Sequence, residues 1–260
     1  MNDIVQQIKS SEQPILVSFP ICPFVQRSAI LLNIKQQPYQ RINIDLADKP
    51  QWYLNMVPTG KVPALVINQP QQEVIFESAI INEYLDEVFG KALLPTDPLK
   101  KATERSWINF SENLIMLQFQ LFSANDVQQF DLLSKQFISE LLKVPVNSQT
   151  KFYSGDELSL MDAAIAPVFT RLKWLPSITE KLSLLAQSDQ STGALLKWIT
   201  NLIEHDAVIR SVNADFDEKF ESFFKVSNSY AINSVAAWHS TTPSTTKGDT
   251  KYGIVFSCRK

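Results

Sequence analysis

Phe19-Pro20-Ile21-Cys22-Pro23-Phe24-Val25-Gln26-Arg27 is the stretch on which the reading of this chain turns. Just before it, Ile15-Leu16-Val17-Ser18-Phe19 is a short apolar run between Pro14 and Pro20, as expected of a buried strand. Just after it, Val25, Ala29 and Leu32 recur at i, i+4 and i+7, one face of a helix. Pro23 suits the first helical position, where its missing N–H costs nothing. Cys22 is therefore expected at or near a helix N-cap. There, unpaired backbone N–H groups and the positive end of the helix dipole favour a thiolate. Thiolate is the nucleophilic form, so the expectation is a reactive cysteine with its usual value of ~8.5 depressed. The bland alternative is a small side chain filling an apolar gap.

Working outward, Pro38 closes that helix, and Tyr39 to Asp45 alternates like a strand with Ile42 and Ile44 on one face. Residues 52–56 suit one or two helical turns. Ala64-Leu65-Val66-Ile67 and Val74-Ile75-Phe76 read as two strands joined by the polar turn Asn68-Gln69-Pro70-Gln71-Gln72. Residues 78–89 read as a helix, with Ile81, Tyr84, Leu85 and Val88 on one face. The predicted fold class is α/β plus all-α. An N-terminal thioredoxin-like domain of order βαβαββα (residues 1–92) precedes an all-helical C-terminal domain (93–225). Leu93-Leu94-Pro95-Thr96-Asp97-Pro98 is the linker, because two prolines favour extended chain. Helical stripes follow at Trp107, Phe110, Leu114 and Leu117, and at Met161, Ile165, Val168 and Leu172. Further helices are expected near 130–143, 193–204 and 215–224. Residues 226–260, rich in Ser, Thr and Asn, are expected to form a flexible tail.

Composition sets limits on function. The chain has 260 residues, is 45% hydrophobic and carries a net charge of −3, with a pI near 5.5. Neither nucleic acid nor an anionic membrane is an expected partner. The polar N-terminus lacks the apolar core of a signal peptide, and no stretch reaches the ~18 apolar residues of a membrane span. Two cysteines, Cys22 and Cys258, argue for reduced thiols in a cytoplasmic setting. His205 and His239 are too few and too scattered for a metal site, so no metal is expected.

Position 25 is Val, so Cys22 lacks a resolving cysteine three residues on. A mixed disulfide at Cys22 then needs a thiol from solution, for which glutathione is the natural donor. Val62-Pro63 precedes a strand; a cis bond there would present the Val62 backbone to an extended peptide, whereas a trans proline would merely mark the strand's edge. Glu77-Ser78 opens a helix and reads either as a carboxylate site or as a local cap. Lys49, before a helical turn, is by itself a solvated cation. Ser159-Leu160-Met161-Asp162 is a capping box, a folding signal rather than chemistry, and Pro167 should kink its helix.

Together these features resemble the glutathione transferase superfamily, and its omega class most closely. The likeness is carried by Cys22-Pro23-Phe24 with Arg27, Lys49-Pro50-Gln51-Trp52, Gly60 and Val62-Pro63. It continues through Glu77-Ser78-Ala79-Ile80, Glu83-Tyr84-Leu85-Asp86-Glu87, the proline linker, Ser159-Leu160-Met161-Asp162, Pro167, Phe169 and Arg171. It spans about residues 12 to 215. The resemblance implies that Cys22 is catalytic, forming a mixed disulfide with glutathione. Phe24, Lys49, Val62, Pro63, Glu77 and Ser78 would hold that cosubstrate, with Lys49 at the glycyl carboxylate and Glu77 and Ser78 at the γ-glutamyl end. Arg171, Trp107, Phe110 and Trp174 would wall the acceptor site, with Phe216 standing for the family's C-terminal aromatic. The implied function is a glutathione-dependent thiol transferase or reductase, acting in deglutathionylation and dehydroascorbate-type reduction, in a homodimer of twofold symmetry. The alternative is a non-catalytic binding protein on the same fold, like stringent starvation protein A or the intracellular chloride channel proteins.

Overall fold

The computed structural model describes the backbone at residues 2–68 and 71–241 and the side chains at 3–68 and 71–235. In chain order the first elements are α1 (Asn2–Ser10), β1 (Ile15–Ser18), α2 (Pro23–Ile34), β2 (Gln40–Asn43), α3 (Gln51–Met56), β3 (Ala64–Ile67), β4 (Glu73–Phe76) and α4 (Ser78–Val88). The sheet order is β2-β1-β3-β4, with β1 parallel to β2 and both other pairings antiparallel. This is the thioredoxin-like arrangement of a parallel pair followed by a hairpin. Of the hairpin turn, residues 69 and 70 lie outside the described residues.

All four residues of β1 are buried, because the sheet is covered on both faces. Alternation sends Ile15 and Val17 to one face, where Ile8, Trp52 and Tyr53 meet them. Leu16 goes to the other, against α2, α4 and the helical half. Helix α1 is absent from the sequence reading, which saw only a polar terminus. Ile8, 1% exposed, earns the helix its place by closing the first of these cores, with Ile4 and Val5 beside it.

The helical half comprises α5 (Pro98–Ser123), α6 (Val127–Leu141), α7 (Leu160–Thr170), α8 (Pro176–Leu185), α9 (Gln190–Ile203), α10 (Asp206–Ile209), α11 (Phe216–Val226) and α12 (Tyr230–Thr241). At its centre lies α7, buried from Leu160 to Phe169, introduced by the expected capping box and continuing through Pro167. The short α10 is capped by His205, whose Nδ1 accepts from the Ala207 N–H at 3.1 Å. The expected tail from 226 onward needs correction. Tyr230 N–H donates to Ala124 O at 2.8 Å, and its ring lies 5.2 Å from Phe130. Ala231 and Ile232 are buried. These apolar residues stand among Ser and Asn, so segment composition concealed a docking face. Residues 242–260, Cys258 included, lie outside the described residues, as does the side chain of His239.

Glu104 on α5 is 3% exposed and accepts from the Met161 N–H at the start of α7, at 3.1 Å. Burial first, then the charges of Asp162 and Asp86, push its carboxyl up to about 7, against the Met161 and Ser159 donors. A carboxyl raised on folding stabilises the fold fully below its unfolded value near 4.3, and this contribution is lost as pH rises through about 7. Glu104→Gln is therefore expected to remove part of the fall in stability between pH 5 and pH 8, on the order of 1–2 kcal/mol. Thermal melts across that range should show the variant higher by about 2–8 °C at pH 8 and level with wild type at pH 5. An unchanged slope would refute the assignment.

Candidate active site at one end of the sheet

Val17 pairs with Ala64, and Ala64 with Phe76. The register therefore gathers the C-terminal ends of β1 and β4 and the N-terminal end of β3 at one end of the sheet. Their continuations are the Cys22 loop, Glu77-Ser78 and Val62-Pro63, which are far apart in sequence.

Cys22 stands directly before α2 in extended conformation, with Pro23 at the first helical position. Its N–H donates to Phe19 O at 3.0 Å, and its carbonyl accepts from Gln26 N–H at 3.1 Å. The Sγ lies 4.0 Å from Val62 O. The Val62–Pro63 peptide is cis. Lys49 is half-buried, and a carbon placed on Gly60 (φ +58°) would come within 3.6 Å of its Nζ. The Tyr53 hydroxyl ties down the same loop by donating to Lys61 O.

Glu77 adopts φ +68°, a left-handed conformation uncommon for a side-chain-bearing residue and frequent where function demands strain. Its side chain does not cap α4, and it is exposed beside the buried Ser78. Among the described residues neither Lys49 nor Glu77 has an ion-pair partner. A free cation and a free carboxylate thus flank the cysteine's end of the sheet. They are complementary to the carboxylate and the ammonium at the two ends of an extended peptide.

Beside Cys22 opens a cavity of about 320 Å³. Phe19 and Phe24 supply the wall on the Cys22 side, Met116, Phe119 and Phe122 that from α5, and Phe223 that from α11. Apart from Cys22, only Gln118 and Arg171 bring polar side chains to the wall, and Gln118 is spent on Val168 O at 2.9 Å. This wall overturns the expected depressed thiol. Burial pushes the Cys22 thiol up, outweighing the Val25 and Phe24 backbone N–H groups and the Arg171 and Arg27 charges that pull it down. The helix start acts as expected, but the aromatic wall leaves the half-buried thiol too little of the water that a thiolate needs.

The predicted acceptor wall is only partly assembled. Arg171 lines the cavity, whereas Trp107, Phe110, Trp174 and Phe216 do not. Trp107 and Phe110 pair edge to face at 5.3 Å. They precede Met116 on α5 by about one and a half to two and a half turns and lie outside the cavity lining. Trp174 stacks on Phe220 at 4.1 Å and donates to Glu221. Phe216 lies under the Arg171 guanidinium, 5.2 Å away. The residues missed had a signal: Ile115, Phe119 and Phe122 recur at i, i+4 and i+7, a second apolar stripe beside the one read.

Residues 16–93 match the family model described as glutathione S-transferase, N-terminal domain. Glutathione S-transferase omega-1 of Sus scrofa is 35% identical over 197 residues, covering 74% of this chain and 77% of that protein. The chain belongs to the glutathione S-transferase superfamily. Within it the chain is omega-like and an enzyme, which favours catalysis over the non-catalytic alternative. Glutathione S-transferase omega-2 of Rattus norvegicus is 30% identical over 198 residues, covering 74% of the chain and 76% of that protein. The crystal structure of glutathione transferase Omega 1C from Trametes versicolor superposes with a TM-score of 0.63 at 25% identity. That match covers 85% of this transferase and 100% of the neighbour. Among the described residues no helix is long and apolar enough to cross a membrane.

Proposed function

We propose that this transferase moves glutathionyl groups through Cys22. The single observation that carries the reading is the placement of the Cys22 sulfur 4.0 Å from Val62 O, on the wall of an apolar cavity. Lys49 would meet the glycyl carboxylate of glutathione, the Val62 backbone its cysteinyl residue, and Glu77 with Ser78 its γ-glutamyl end. Phe24 and Pro63 would shape the floor. In the first step the Cys22 thiolate attacks the glutathionyl sulfur of a mixed disulfide; the Cys22–glutathione disulfide forms and the acceptor leaves as a thiolate, which takes up a proton. In the second step a glutathione thiolate attacks that disulfide, releasing oxidised glutathione and restoring Cys22. The exchange requires no metal.

Deglutathionylation follows these steps directly. In dehydroascorbate-type reduction a glutathione thiol would first add to the acceptor carbonyl, and Cys22 would then attack the sulfur of that adduct. The C–S electron pair would leave with the reduced acceptor, giving the same Cys22–glutathione disulfide. The cavity ranks the two. A wall of phenylalanines and Met116 would strip water from a polyhydroxylated acceptor without replacing its hydrogen bonds. Mixed disulfides with an apolar partner are therefore the preferred acceptors. A reducing cytoplasm would supply the glutathione. Association into a homodimer of twofold symmetry rests on the family likeness.

Incubation of the full chain with oxidised glutathione, followed by intact mass and peptide mapping, is the test. One glutathionyl adduct on Cys22 is expected. An adduct on Cys258 alone, or none, would overturn the reading.

A further inference from the structure

Two guanidinium groups are buried close to Cys22, and they are not equivalent. Arg27, 1% exposed, donates Nη1 to Glu112 at 3.0 Å, Nη2 to Ser111 Oγ at 2.6 Å and Nε to Ala164 O at 2.8 Å. Its charge is matched by a carboxylate, and its role is to fasten α2 to α5 and α7. Arg171, 3% exposed at the end of α7, has only neutral partners. Its Nη1 donates to Gln26 Oε1 at 2.6 Å and to Pro167 O at 2.7 Å, and Nη2 donates to Ile21 O at 2.9 Å. The rings of Phe216 and Phe220 lie 5.2 and 5.8 Å from its centre. Among the described residues no carboxylate pairs with it.

A buried cation without an anion is costly, and mere fastening would be served as well by a neutral donor. Arg171 and Cys22 share the lining of the same apolar cavity, and Arg171 holds the carbonyl of the residue just before the cysteine. We propose that Arg171 is a positioning residue whose missing counter-ion is the Cys22 thiolate itself. This rests on the reading of Cys22 as the nucleophile. When Cys22 loses its proton, the neutral-plus-cation arrangement becomes an ion pair in a low-dielectric enclosure, where a fixed charge acts most strongly. The other groups facing Cys22 do not compete: Arg27 is already paired with Glu112, and burial keeps the Tyr53 phenol protonated. Burial lowers Arg171 itself to about 9, so the cation is present at neutral pH. Arg171 keeps its expected place in the cavity wall, while its terminal nitrogens are held by Gln26, Pro167 and Ile21.

The test is the pH profile of alkylation of Cys22 by iodoacetamide in the full chain, with the modified peptide quantified so that Cys258 is counted separately. For Arg171→Met the midpoint is expected to rise by about one pH unit or more, with the rate at pH 7 falling about tenfold. Arg171→Lys, which keeps the charge, should restore most of the rate. A purely structural role would instead loosen the loop, hydrate the thiol and lower the midpoint toward that of a free cysteine. That result, or an unmoved midpoint in a variant with wild-type circular dichroism, would overturn the proposal. If Arg171→Met does not fold, Arg171→Lys and Arg171→Gln in a folded chain carry the comparison, and equal midpoints for these two would overturn it. Thiol transfer surviving in Cys22→Ala would sink the nucleophile reading alone, since the alkylation profile is read without turnover.

Discussion

Cys22→Ala is expected to lower glutathione-dependent thiol transfer by about 10³-fold or more while leaving retention on immobilised glutathione near wild type. The two readouts separate because different atoms serve them. The transferred group would bond only to the Cys22 sulfur. The tripeptide would be held by Lys49, the Val62 backbone, Glu77 and Ser78, none of which relies on Cys22 for its placement. Lys49 sits over Gly60, and Glu77 is fixed by the pairing of β4 with β3. The reaction should be followed as release of thiol from a glutathionylated peptide, with Cys258→Ala alongside and expected to match wild type. Activity retained in Cys22→Ala but lost in Cys258→Ala would move the nucleophile to the C-terminal cysteine. Joint loss of activity and retention would mean that the cysteine builds the site rather than reacts in it. Because burial raises the thiol, wild-type rates should still be climbing above pH 8.5.

The second large effect concerns folding. Asp162 is 0% exposed and accepts four hydrogen bonds: from Ser159 N–H and Oγ at 2.7 Å each, from Tyr153 N–H at 3.2 Å and from the Trp198 indole at 2.6 Å. It joins the start of α7 to the preceding loop and to α9, and α7 is the element on which α2, α5 and α9 converge. Asp162→Ala removes one acceptor group and leaves several buried donors unpaired, each costing about 1–3 kcal/mol. Partial relaxation brings the expected total to about 3–5 kcal/mol. Urea denaturation followed by circular dichroism should show the midpoint falling with little change in slope. A loss under about 1 kcal/mol would show that water or a shifted loop satisfies those donors.

The effects of these two positions differ in kind, although both lie at helix starts with an oxygen- or sulfur-bearing side chain. Asp162 completes its hydrogen bonds within its own fold and so contributes stability. The Cys22 Sγ makes one long contact, to Val62 O at 4.0 Å, has no capping hydrogen bond and faces a cavity. The contrast is what assigns one to folding and the other to chemistry.

Local chemistry along the chain was enough to place β1, α2, the β3–β4 hairpin, α4 and the capping box of α7, because proline breaks, period-2 runs and 3.6-residue stripes act over a few neighbours. The same signals located Cys22 at a helix start and, with the family likeness, selected Lys49, Val62, Glu77 and Ser78. What no local pattern carried was which apolar stripe of α5 faces the cysteine, that Tyr230 and Ile232 dock rather than drift, and that Ile8 closes the far side of the sheet. It also could not say that Arg171 would be buried without a carboxylate, or that aromatic enclosure would outweigh a helix dipole at Cys22. Those outcomes depend on desolvation and on partners distant in sequence, and both are set only when the elements pack together.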